Sequence, residues 1–496
     1  MTVSPLVGAP RWRKAAVVAP LILMGACAVG PDYVSPRAML VDRYTPEVLP
    51  QATSRADGHT QQFNATGAVP IAWWTLFGSK DLDALVRAAL DKNPTLQASE
   101  ASLRRSQDSL RAGQGIFFPQ ASVGFDAKRE RSSAAQLGSS SSGSLFTVMS
   151  LSGTVGYALD VFGSERRTVE ALRAQTDTQS HETQAAYLAL TANLVDTVIA
   201  RSAYAAERSE TEIMVDLETQ ELAETQVQVG AGTMPYSNLL AVQQALAATR
   251  ALLEPLRQRE AETSHLLATL QGLSPSEAVL PDIPLGSLVL PEALPISLPS
   301  ELVRQRPDIL AAEAQLHQAS AEIGVATAAL FPSFSLTGTY GGASATLRGL
   351  PSDAGRFWSV GPSVSLPLFQ GGSLWYSRRA AIDAFQASQA TYRQVVLTSF
   401  QQVADLLNAL EHDAGALDAE VQVETAAARA LALVQVSQRA GLVASLEVLA
   451  AELAYHQTRL GTLQAVAQRH QDTVGLFVAL GGGWNARAPA GGGGAP

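Results

Sequence analysis

Residues 306–316 read RPDILAAEAQL, and residues 93–103 read NPTLQASEASL. Pro, an aliphatic residue, Ala, Glu, Ala and Leu fall at matching places in the two stretches. Pro94 and Pro307 suit the first turn of a helix, where a missing N–H is harmless. Asn93 can cap such a helix with its side chain; Arg306 is a poor cap, and the sequence offers no account of it.

The similarity runs on. GIFFPQASV (115–123) matches AALFPSFSL (328–336), and Pro119 and Pro332 keep the offset that separates Pro94 from Pro307. LDVFGSERR (159–167) matches LPLFQGGSLWYSRR (366–379). Phe162 and Phe369 stand closer together than that offset (369 − 162 against 332 − 119), so the first copy holds six extra residues. They fit in the Ser-rich loop at 131–144, which reads as a solvated turn. VGAGTMPYSNLL (229–240) matches QRAGLVASLEVL (438–449), anchored by Gly232 and Gly441, and LLATLQGL (266–273) matches LFVALGGG (476–483). An internal duplication therefore covers most of the chain.

Each copy predicts the same elements. From Phe162 to Gly232, and from Gly372 to Gly441, there is no proline, and helix formers dominate. Either span would make a helix of about 100 Å. Gly232 and Gly441 sit where such a helix must reverse, because Gly takes the left-handed C-terminal conformation cheaply. The returning segments keep a 3/4 apolar spacing, as at Leu446, Leu449, Leu453, His456, Leu460 and Leu463, which is coiled-coil periodicity. Pro255 is expected to kink the first return helix. Between the helices lie four alternating stretches at 122–128, 149–161, 334–340 and 360–369. Such alternation fits a transmembrane barrel strand or one face of a soluble antiparallel sheet.

The N-terminus bears on that choice. Arg11, Arg13 and Lys14 precede the apolar run AAVVAPLILM (15–24) and then Gly25-Ala26-Cys27. The run is too short to span a bilayer and reads as an export signal ending at a lipoprotein-type cysteine, with Met24 where a Leu is usual. An ordinary secretory signal with an incidental cysteine is the alternative. No later segment has the ~18 consecutive apolar residues of a spanning helix. Export without a spanning helix favours the barrel, since open sheet edges are not tolerated in lipid. Four strands cannot close a barrel; two copies would give eight and three would give twelve. The formal net charge of −10 argues against nucleic acid as a partner.

Several segments resemble the outer-membrane efflux protein family, specifically the lipoprotein outer-membrane factors of resistance–nodulation–division pumps. They are CAVGPDYVSP (27–36), WWTLFGSKDLDALVRAALDKNPTL (73–96), LPSELVRQRPDILAAEAQL (298–316), the paired Phe-Pro elbows and ALGGGW (479–484). The resemblance implies a mixed α and β fold. In it, a homotrimer pools four strands per protomer into a twelve-stranded outer-membrane barrel, continuous with a long α-helical coiled-coil periplasmic tunnel. It also implies a lipid on Cys27, a periplasmic membrane-fusion adaptor and an inner-membrane transporter as partners, and small molecules as cargo. A protein cargo, and a pore-free coiled-coil spacer between two membranes, are the competing readings. On this reading 1–26 is the signal peptide, 27–80 a lipid-anchored equatorial segment and 81–272 the first repeat with its hairpin at 116–161. Residues 273–297 form a Pro-rich equatorial linker, 298–483 the second repeat with its hairpin at 331–369, and 484–496 a flexible tail.

In that family the hairpin tips form the closed periplasmic aperture. The tip residues here are Gly232 and Asn238 in the first repeat, and Gly441, Val443, Ser445 and Glu447 in the second. Glu447 falls on an acidic position of the gate motif. Val443 and Ala450 replace charges found in some members, so the gate is less charged. Three copies of Glu447 around one axis would repel each other and attract cations; a solvated glutamate on a helix face is the plain alternative. The seven histidines show no metal-ligand spacing, VGAGTMP lacks a dinucleotide fingerprint, and no catalytic constellation or cofactor motif is seen. Trp73, Trp74 and Phe77 read as core ahead of a helix.

Overall fold

The computed structural model describes residues 28–37, 43–47, 50–64, 69–131, 133, 145–296 and 299–482. The export signal, Cys27, most of the Ser-rich loop and the C-terminal tail lie outside the described residues. The elements run β1 (Gln62–Asn64), α1 (Lys80–Lys92), α2 (Pro94–Gln114), β2 (Gln120–Arg131), β3 (Leu145–Leu159), α3 (Ser164–Gly230) and α4 (Tyr236–Leu270). They continue β4 (Ala293–Pro295), α5 (Pro299–Leu302), α6 (Pro307–Ala328), β5 (Ser333–Ser344), β6 (Arg356–Ser365), α7 (Ser373–Arg439) and α8 (Ser445–Ala479). From Pro94 the order is helix, two strands, a 67-residue helix and a 35-residue helix; from Pro307 it is the same, with the same two lengths. The first return helix, α4, continues through Pro255.

The residues divide into two compact units. One takes the described parts of Met1–Pro36, Leu103–Gln179 and Ala312–Tyr392; the other takes those of Arg37–Ser102, Ser180–Ala311 and Arg393–Pro496.

The first unit holds a four-stranded antiparallel sheet of order β2-β3-β5-β6. Pro119 and Pro332 stand immediately before β2 and β5. A residue ahead of proline is pushed out of the helical region, and Phe118 is extended at φ −112°, ψ 151°. The elbows thus turn a helix into a strand. The strand expected over 360–369 stops at Ser365, because Pro367 cannot donate to a ladder. Residues 28–36 lie along the helices of this unit. Val29 N–H donates to Phe162 O at 3.0 Å, Asp32 pairs with the buried Arg167 at 2.7 Å, and Tyr33 stacks on His317 at 4.2 Å between ring centroids.

The second unit is built on an apolar core. Trp73 and Phe77 are fully buried, with Leu82, Leu194, Ile199, Leu267, Leu294, Val474 and Phe477. Trp73 packs 5.7 Å from the Phe477 ring. Ser79 caps α1, its side chain accepting from Leu82 N–H at 3.2 Å. β1 and β4 form a parallel pair that the sequence did not signal; three residues are too few to establish a period.

Here the two copies of the opening motif have matching roles. Asn93 Oδ1 accepts from the N–H groups of Thr95 and Leu96 at 2.9 and 3.1 Å, so it caps α2. Its Nδ2 donates to Leu270 O at 2.9 Å, the last carbonyl of α4. Arg306 occupies the equivalent place in the second copy. Its Nη1 donates to Ala479 O at 2.9 Å, the last carbonyl of α8, while Nη2 reaches Gln402 Oε1 at 2.8 Å and Asp308 Oδ2 at 2.7 Å. Arg306 is therefore a C-terminal carbonyl anchor for the returning helix, where a cation also suits the helix dipole. Gly272 and Gly481 have positive φ, and a Cβ on them would stand 2.5 Å from Lys92 O and 3.2 Å from Gln305 O. The motif is written twice because each copy closes its own chain of helices, start against end.

Candidate functional site: a two-faced sheet and two hairpin tips

Strand register decides what the sheet offers. Phe125 pairs with Leu151, Leu151 with Gly342, and Gly342 with Arg356; Tyr340 pairs with both Gly153 and Trp358. Paired residues share a face and alternate residues change face. One face therefore carries Val123, Phe125, Leu151, Val155, Leu336, Tyr340, Trp358, Val360 and Val364. The opposite face carries Ser122, Ser150, Ser152, Thr154, Ser335, Thr337, Thr339, Ser359 and Ser363. Towards the helix elbows the four separately read alternations merge into one apolar and one polar surface; towards the far ends the pattern breaks, with Phe146, Val148 and Phe357 on the polar side and Thr147 and Ser344 on the apolar one. The chain leaves that apolar surface open: Val123 is 79% exposed, Trp358 73% and Val364 61%. The outer strands β2 and β6 have no further neighbour among the described residues. Residues 28 and 29 meet this unit at the end of β3, where a Cβ on Gly163 (φ +83°) would stand 2.7 Å from Ala28. That seats the residue after Cys27 beside the foot of the sheet.

The second unit contains both hairpin tips. Gly232 and Gly441 have φ of 75° and 73°. At the first tip Gly232 N–H donates to Val229 O at 3.0 Å and Thr233 N–H to Gln228 O at 3.0 Å; at the second, Gly441 N–H donates to Gln438 O at 2.8 Å and Leu442 N–H to Ser437 O at 2.9 Å. These paired bonds are the Schellman arrangement that ends a helix on a left-handed glycine. A Cβ on either glycine would meet nothing within 4 Å, so substitution is opposed by backbone conformation alone. Gly232→Ala and Gly441→Ala should each cost about 1–2 kcal/mol locally, read as faster amide exchange of 228–240 or 437–449 with the rest of the chain unchanged.

The remaining tip residues are dispersed around the turns. Asn238 and Glu447 are exposed, and Val443 is half-buried. Among the described residues Glu447 has no ion-pair partner. Ser445 donates to Glu224 of α3, tying the second tip to the first long helix. Sequence reasoning missed that acidic run. Glu218, Glu221 and Glu224 recur every third residue near the end of α3; burial pushes the carboxyl groups of Glu218 and Glu221 up, and Glu218 accepts from Thr249 Oγ1 at 2.9 Å. The i, i+3 spacing was the available signal. His456, read as a seam residue, bonds Glu210 at 2.7 Å across α8 and α3, and Arg459 joins the same carboxylate at 3.0 Å.

Three aspartates gather in the second unit, with no counter-ion at hydrogen-bond range among the described residues. Asp196 of α3 is pushed up to about 7 by burial and then by Asp472 of α8. Asp413 of α7 is pushed up to about 7 by burial and then by the neighbouring carboxyl group of Asp472. Oδ1 of Asp196 and Oδ2 of Asp413 are buried without a partner.

Comparison with known proteins agrees with this geometry. The family model described as outer membrane efflux protein matches residues 85–273 and again 298–482. Nodulation protein T of Rhizobium leguminosarum bv. viciae is 30% identical over 96% of this chain and 94% of its own. Outer membrane protein OprJ of Pseudomonas aeruginosa is 29% identical over 94% of each. The solved structure of the outer-membrane channel OprN superposes with a TM-score of 0.81 at 28% identity, covering 92% of this chain and all of that one. With two matched segments that together take in most of its length, the chain belongs to the outer membrane efflux protein family.

Proposed function

We propose that this protein is the passive exit channel of a tripartite efflux pump, passing small molecules from the periplasm across the outer membrane. The observation that carries the reading is the register of the sheet, with apolar side chains along one face towards the elbows, Ser and Thr hydroxyls along the other, and both outer strands unpaired among the described residues. An exposed apolar face suits lipid and a polar one suits a water-filled lumen. Three copies supply twelve strands, enough for an open bore, whereas eight would be plugged by side chains. Lipid on Cys27 anchors each subunit. Energy comes from an inner-membrane transporter of the resistance–nodulation–division type, coupled through a periplasmic adaptor. The tips holding Gly232, Asn238, Gly441, Val443, Ser445 and Glu447 form the periplasmic gate, with Pro119 and Pro332 as the helix-to-strand elbows. A pore-free spacer would leave an uncovered apolar sheet in water, which the exposures above disfavour.

Purified protein in planar bilayers is expected to carry discrete ionic current, and divalent cations added on the tip side should block it. Glu447→Ala should weaken that block about fivefold, the worth of ~1 kcal/mol. Absence of current in the wild type would remove the channel reading; unchanged block in the variant would remove Glu447 from the gate. A deletion strain challenged with dyes, antibiotics and metal salts would identify the cargo.

A further inference from the structure

The hydroxyl-bearing face of the sheet is nearly free of charge. On β3, β5 and β6 it presents Ser, Thr, Gly, Ala, Phe and Val, with no ionisable side chain. Charge enters it on β2 alone. Asp126, Lys128 and Glu130 project there in turn, acid, base, acid, while Arg129 and Arg131 alternate to the apolar side. All three are exposed, and none has an ion-pair partner among the described residues. Asp126 pairs with Ser150, Lys128 with Val148 and Glu130 with Phe146, so each charge stands beside a hydroxyl or an apolar group instead of a counter-ion. The Ser-rich segment after β2 has no charged residue between Arg131 and Leu145. The β5–β6 connection contributes Arg348 and Asp353, and Asp353 is bonded to Arg356 of the apolar side at 2.6 Å.

These residues lie towards the strand end remote from the elbow. From Pro119 to Asp126 and Glu130 the chain runs seven and eleven residues (126 − 119 and 130 − 119). At ~3.4 Å per residue and a tilt of about 40°, that lifts them roughly 20–30 Å, to the far edge of an apolar band about 25 Å tall. In a symmetric assembly each residue stands level with its own copies. Three subunits therefore turn one acid–base–acid strand into three stacked rings of alternating sign. Each ring is made by one residue, so no alignment between different strands is needed. Rings of charged side chains are a recurring means of ion selection in pores.

We propose that Asp126, Lys128 and Glu130 form a charge filter at the exit of the channel, passing cationic and zwitterionic small molecules more readily than anionic ones. The inference rests on the channel reading, which turns the hydroxyl face to the lumen and supplies the symmetry copies. It gives the outer mouth a selectivity of its own, separate from that of the periplasmic tips. Two carboxylates against one ammonium leave the zone negative. Cations gather and anions are depleted within a Debye length of the wall, about 10 Å at 0.1 M salt and about 3 Å at 1 M. Lys128 opposes part of that surplus, so a cation is held weakly enough to leave, and the anionic group of a zwitterion finds its own partner. Val148 and Phe146, paired with Lys128 and Glu130, offer apolar contact to the body of an organic ion.

The test compares neighbouring positions on opposite sides of one strand. Full-length wild type and variants are placed in planar bilayers under a dilute KCl gradient, and the reversal potential gives the permeability ratio of K⁺ to Cl⁻. Wild type should favour K⁺. Asp126→Asn/Glu130→Gln should lower the ratio about threefold, and Lys128→Gln should raise it about twofold. Arg129→Gln removes the same charge one residue further on, from the apolar side, and should leave the ratio where it was. In concentrated salt the differences should vanish, as screening requires. An acid double variant with the wild-type ratio, or an Arg129→Gln shift as large as that of Lys128→Gln, overturns the filter. Current with an unaltered ratio keeps the channel and removes the filter. No current from the wild type removes the channel reading, and the filter with it.

Discussion

Replacing Arg306 with Ala should destabilise the second unit by about 3 kcal/mol. Arg306 is 8% exposed and makes charged hydrogen bonds to Ala479 O, Gln402 and Asp308. Its loss strands the last carbonyl of α8 and unties the Gln402 amide of α7 at once. Arg306→Lys should recover less than half, because one ammonium cannot span the fork of acceptors. The equivalent Asn93→Ala should cost less, about 1–2 kcal/mol, since it removes a neutral cap and one neutral bond. Thermal unfolding in detergent would rank the three, with amide exchange at 476–482 localising the first. An Arg306→Ala protein as stable as the wild type would mean that α6 and α8 are joined by packing alone.

Asp413→Asn is expected to act in the opposite direction, raising stability at pH 8 and changing little at pH 4. In the unfolded chain Asp413 loses its proton near 3.8, whereas in the fold burial and the neighbouring carboxyl group of Asp472 hold it to about 7. Stability is therefore fully present below about pH 4 and falls as pH rises towards 7, above which the whole penalty stands. Because Asp413 is only partly buried, solvent screening limits the effect to about 1–2 kcal/mol. Asn keeps the shape. Asp196→Asn should behave alike, since its carboxyl is raised by burial and by Asp472. The facing groups include Arg469, whose Nη1 is buried and unpaired and whose charge opposes the shift at Asp413. Parallel pH profiles for wild type and variant would show that Asp413 ionises normally in the fold.

What could be read in advance had a local cause. The repeated order of elements, the two long helices and the glycine reversals each leave a mark close by in the chain: matching motifs, absent proline, heptad spacing, a glycine at each tip. The alternating stretches were legible for the same reason, although β6 ended early, ahead of Pro367. Arg306 was opaque because its partner is 173 residues away, and its local context resembles a failed cap. The aspartates were opaque because each is ordinary on its own helix and only the packing of α3, α7 and α8 makes them neighbours. Glu224 acquires its role from Ser445, 221 residues later.

The rims of β2 and β6, unpaired among the described residues, have a genetic corollary under the channel reading proposed above. On that reading a subunit that cannot complete its own wall enters the bilayer in company, so insertion and assembly become a single event. One copy with a spoiled rim would then disable the intact copies it joins, and a mixed population would lose far more activity than its share of bad chains. Damage to either outer strand should accordingly behave as a dominant-negative lesion, while damage confined to the core of the second unit should be recessive.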